Sequence, residues 1–111
     1  MLSGLEFPEE LFSRYLAEEG ASGLGEVGLG VVRRVFIKAY EDFKKEKLSF
    51  DLFSSVCERL WSRVSGLGEE NSELGVMLEY GLELSWYVRN DPQKILKFLE
   101  EIEMYIGVNK V

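Results

Sequence analysis

Histidine and threonine are absent from this chain of 111 residues, while glutamine (Gln93) and cysteine (Cys57) occur once each and proline twice. Without histidine there is no Ser-His-Asp or Cys-His nucleophile pair, no imidazole general base and no histidine-ligated zinc or iron. One cysteine excludes an intrachain disulfide, a Cys-x-x-Cys redox pair and a four-thiolate metal site. Carboxylate-based metal chemistry is the enzymatic route that residue types leave open. No run near 18 charge-free residues exists to span a bilayer, so no membrane contact is expected. Glu6, Glu9 and Glu10 fall where a secretory signal needs a basic and then an apolar region, and the expected location is the cytoplasm.

The residues present are those of a packed, charged domain. Apolar residues make up 46% of the chain and include seven Phe, five Tyr and two Trp, enough for one continuous core, so residues 1–111 are expected to form a single domain. Charged residues reach 30% with a net charge of −7, which opposes indiscriminate binding to nucleic acid or anionic membranes and suits a basic protein partner. Scarce glutamine and abundant charge lean toward a thermophilic source.

Periodicity predicts an all-α bundle of four to five antiparallel helices. The first runs from about Pro8 to Glu19 with Leu11, Phe12, Tyr15 and Leu16 at helical spacing, and stops at Gly20. After a loop over Gly20 to Gly23, a second helix with a glycine-rich first turn continues to about Lys45, with Val32, Val35, Phe36, Ala39, Tyr40 and Phe43 on one stripe. Ser49 is a good N-cap for the third, whose stripe is Phe50, Phe53, Cys57, Leu60, Trp61, Val64 and Leu67, with Gly66 and Gly68 as its stop. The fourth spans about Ser72 to Asn90. Asp91 and Pro92 start a fifth, which buries Ile95, Leu96, Leu99, Ile102 and Ile106 and ends at Gly107, with a frayed tail over Val108 to Val111. No segment alternates with period two, so strands are not expected.

The fourth helix is apolar on two faces. Leu74, Met77, Leu78, Gly81, Ser85 and Val88 share one side, and Val76, Tyr80 and Tyr87 lie nearly opposite. If the helix is central, both faces are internal. If it is peripheral, Val76, Tyr80, Glu83, Trp86 and Tyr87 form an interface of the aromatic kind that anchors partners. Gly75 and Gly81 within it each cost about 1 kcal/mol relative to alanine, which calls for close approach of another element.

Other patterns have bland explanations. Gly23, Gly25 and Gly28 spell G-x-G-x-x-G, but a dinucleotide fingerprint follows a strand and here a helix precedes it. Glu69, Glu70 and Glu73 form an E-E-x-x-E string that resembles one Mg²⁺-binding helix of the all-α nucleotide pyrophosphohydrolases. Their second helix carries E-x-x-D, and none follows here; the three glutamates suit a helix N-terminus instead. No cofactor or metal is therefore expected. Between residues 33 and 63 the charge is net +3 against −10 elsewhere, so Arg33, Arg34, Lys38, Arg59 and Arg63 form a candidate basic strip. Glu41 and Asp42 interrupt it, and nucleic acid is not the expected partner.

Three roles follow. The first expectation is a noncatalytic protein-interaction protein that self-associates through the fourth helix, its partner being a second copy or another protein. The second is an acidic inhibitor or immunity-type protein covering the basic site of a toxin or nuclease; the stretch Phe43 to Trp61 is loosely similar to the first helices of small acidic bundles that neutralise tRNA-cleaving toxins. The third is a small helical subunit of a ribonucleoprotein complex, with the basic strip on phosphates.

Overall fold

The computed structural model describes residues 8–109, and among them every regular element is helical. Five α-helices follow one another: α1 (Pro8–Glu18), α2 (Leu29–Lys44), α3 (Phe50–Gly66), α4 (Glu73–Asn90) and α5 (Gln93–Asn109). Successive helices run antiparallel where two contacts fix their direction: Glu18–Lys38 with Tyr15–Asp42 for α1 and α2, Phe43–Phe50 with Phe36–Phe53 for α2 and α3, and Ser54–Gly81 with Asp51–Arg89 for α3 and α4. This is the expected all-α bundle. The α3–α4 hairpin is its most closely packed pair, and one hydrophobic cluster draws on all five helices.

Local chemistry explains most helix ends. The side chains of Ser49 and Ser72 accept hydrogen bonds from the N–H groups of Leu52 and Gly75, both at 3.1 Å, capping α3, as its sequence predicts, and α4. Helices α1 and α3 end on left-handed Gly20 and Gly68, and in each case a 6→1 backbone bond closes the turn: Ala21 N–H to Leu16 O, and Glu69 N–H to Val64 O. Helix α2 ends in the same way at Glu46 (φ 63°), with Lys47 N–H donating to Asp42 O.

Four details correct the reading from sequence. Helix α2 begins at Leu29, not just after Gly23, because Gly25 and Gly28 weaken any earlier turn; a short 3₁₀ turn over Leu24–Glu26 intervenes. Buried Val27 follows that turn and fixes the loop to the core, and its carbonyl accepts a 2.9 Å bond from Arg63 Nε. Leu67 and Val88, placed on buried stripes by periodicity, are exposed near the ends of α3 and α4. Helix α5 starts at Gln93 and passes through Gly107 to Asn109; the remainder of the expected frayed tail, Lys110 and Val111, lies outside the described residues.

The fourth correction concerns the side of α5 that is buried. Ile95, Ile102 and Ile106 are buried as expected and Leu99 partly so, but Leu96 is 70% exposed and Tyr105 is buried instead. The cause is the position of the neighbours. Phe98 stacks on Tyr80 of α4 and Tyr105 packs beside Phe36 of α2, so the helix turns that shoulder inward and Leu96, on the other shoulder, outward.

Candidate functional site

The second apolar face of α4 is the seat of α5. Tyr80 and Phe98 stack at 4.8 Å between ring centroids, Tyr87 meets Phe98 edge-on at 4.9 Å, and Lys94 Nζ lies 5.7 Å from the Tyr87 ring. Of the five residues considered as an interface, Tyr80 and Tyr87 thus line the seam with α5, and Val76 packs partly buried against the core. Trp86 is 56% exposed and sits edge-on against Tyr87.

Glu83 faces elsewhere. It lines a groove of about 840 Å³ between the start of α1 and helices α3 and α4, together with Glu9, Glu58, Glu79, Arg59 and Trp61. Partial burial and the neighbouring Glu79 carboxylate hold its carboxyl above the ordinary range. Arg59 reaches Glu9 at 2.6 Å across this groove, tying α1 to α3, and also donates to Ser55 Oγ at 2.6 Å.

The five cations of the basic strip are dispersed among separate partners. Arg33 Nε donates to Tyr105 Oη at 3.2 Å, Arg34 pairs with Glu19, Lys38 with Glu18, Arg59 with Glu9, and Arg63 binds the Val27 carbonyl. Each links two elements of the fold.

The glycine and glutamate motifs lie at the connections that lead into α2 and α4. The Gly23 to Gly28 segment is the turn leading into α2, preceded by α1. Glu69 and Glu70 precede α4 and Glu73 opens it, and among the described residues no three acidic or cysteine side chains are placed to hold a metal ion. Cys57 is fully buried in α3, and burial pushes its thiol well above the ordinary value, away from the reactive thiolate. No helix among the described residues is long and apolar enough to cross a membrane.

What the surface offers is apolar area on the last hairpin. Among the described residues, six large hydrophobic side chains are exposed, and five of them, Trp86, Val88, Leu96, Met104 and Val108, lie on α4 and α5. Leu96, Met104 and Val108 are 70%, 69% and 77% exposed and fall within an arc of about 120° on the outer side of α5, where Lys97 and Glu100 lie between them. Periodicity had assigned Leu96 to the core, and the exposed Leu is the signal that sequence reasoning missed.

Comparison of the chain with protein-family models, with characterised proteins and with solved structures finds no match.

Proposed function

We propose that the protein is a noncatalytic, cytoplasmic interaction protein that docks through the outer face of α5. The observation that carries this reading is the concentration of exposed apolar side chains on one hairpin of an otherwise charged molecule. A helix that buries one stripe normally turns polar residues outward, and large apolar groups gathered on one exposed face mark a contact surface. The absence of histidine and the burial of Cys57 support a role without catalysis. The contact expected on α4 moves to α5, since Tyr80 and Tyr87 already have Phe98 as their neighbour.

The test is the native mass of the protein in extracts of its own cells. After cross-linking in the intact cells, which holds weak complexes together, wild type should elute well above the 12.7 kDa of one chain, and Leu96→Glu should elute as a single folded chain. Wild-type elution at the mass of one chain would sink the proposal.

A second reading, an acidic protein that covers a basic partner, draws on the groove edged by Glu9, Glu58, Glu79 and Glu83. A salt-sensitive complex abolished by Glu79→Gln with Glu83→Gln, and indifferent to Leu96→Glu, would put it first. The ribonucleoprotein reading loses support, because each cation it relies on is engaged within the chain.

A further inference from the structure

We infer that the occupant of the α5 face is α5 of a second copy of this chain, packed antiparallel about a two-fold axis near Glu100. This rests on the reading of α5 as the docking face and adds its partner and its register. A two-fold contact must be self-complementary, since the same patch serves both copies. The outer arc of α5 suits that condition in the placement of its apolar and charged residues.

Leu96 and Met104 lie four residues to either side of Glu100, so an antiparallel pairing centred there sets Leu96 against the partner's Met104, twice. The charges repeat the symmetry. Lys97 and Glu100 are both exposed, and neither is in an ion pair among the described residues. In the centred register Lys97 lies one helical turn from the partner's Glu100, within reach of a lysine side chain, and the two-fold axis forms the pair twice. The pairing also removes the repulsion of two glutamates meeting near the axis. It supplies local attraction that a chain of net charge −7 needs in order to approach its own copy.

A contact made by one 17-residue helix is smaller than the roughly 800 Å² per partner of a standard interface, so a weak, rapidly exchanging dimer is expected. Sedimentation velocity on the full chain over a concentration series tests this with two single variants, their mixture and the double swap. Lys97→Glu and Glu100→Lys each turn two attractive pairs into two repulsive ones, and each alone should self-associate about tenfold more weakly than wild type. Mixed in equal amounts, the two variants carry complementary charges at both pairs, and the mixture should recover wild-type association. The double swap should recover it as well.

Circular dichroism confirms that each variant is folded. The inference is overturned by a wild type that stays monomeric to about 1 mM, by single variants that associate like wild type, or by a mixture no stronger than its components. If native extracts show a large complex while the purified chain is monomeric, the second copy is wrong and the docking face stands. If both are monomeric, the docking face falls too.

Discussion

At Gly81 a single hydrogen atom separates α4 from α3. A Cβ placed there would collide with Cys57 Sγ and crowd Cys57 Cβ, while Ser54 on the same helix as Cys57 donates to the Gly81 carbonyl at 2.9 Å and accepts from Ser85 N–H at 3.2 Å. Gly81→Ala is therefore expected to destabilise the fold by about 1–2 kcal/mol, overpacking outweighing the gain in helix propensity. Adding Cys57→Ala should recover most of that loss. Urea midpoints of the two single variants and the double variant measure the coupling, and an unchanged midpoint for Gly81→Ala would show that the helices can part at no cost. The energetic penalty of glycine inside a helix made a close neighbour legible in the sequence at Gly75 and Gly81. Which neighbour it was could not be read: Gly81 meets a cysteine on another helix, whereas Gly75 meets the Glu69 and Glu70 carbonyls of its own approach loop.

Helix boundaries were legible where a side chain makes them and obscure where the backbone does. Ser49 announces α3, and Gly20 and Gly68 announce the stops of α1 and α3. No glycine follows α2, and its left-handed stop falls on Glu46, a residue type that pays conformational strain there. Glu46→Gly should raise stability by about 0.5–1 kcal/mol, seen as a higher urea midpoint with unchanged slope; a lower midpoint would mean that the glutamate side chain contributes more than its backbone costs. The stripe on α5 misled for a different reason. Leu96 and Tyr105 are both large and apolar enough to be buried, and the choice between them was made by Phe36 on α2 and by Tyr80 and Tyr87 on α4, which periodicity within one helix cannot see.

Across the whole molecule, buried tyrosine hydroxyls join helices remote in sequence. Tyr15 donates to Asp42 at 2.7 Å, from α1 to α2, and Tyr40 donates to Glu103 at 2.9 Å, from α2 to α5. Burial, and then the bonded carboxylate, raise both phenols well above their ordinary value near 10. The folded state thus favours the protonated phenol. The stability from this preference is fully present below pH of about 10 and is lost as pH rises above it, because the unfolded chain ionises first. In an absorbance titration of the five tyrosines, Tyr15 and Tyr40 should ionise only as the protein unfolds, and the Tyr15→Phe, Tyr40→Phe double variant should show a shallower alkaline loss of stability. Ionisation of all five near pH 10 in the folded protein would contradict the bonding. The helical class and the succession of five helices were legible at this scale because the 3.6-residue period is local. The closure of α5 against α2 was not, since it depends on residues more than 60 positions apart.

That closure has a kinetic meaning. Most helix contacts join neighbours in sequence, so much of the bundle can assemble with little loop-closure entropy, whereas α5 reaches α2 through the long-range contacts of Phe36 and Arg33 with Tyr105 and of Tyr40 and Lys44 with Glu103. Helix α5 is then a late arrival in folding and an early departure in partial opening, and hydrogen exchange should find its amides less protected than those of the closely packed α3 and α4. Each such opening would remove the proposed docking face and bare Tyr80 and Tyr87, so occupation of α5 by a partner would lengthen the lifetime of the folded chain as well as assemble it.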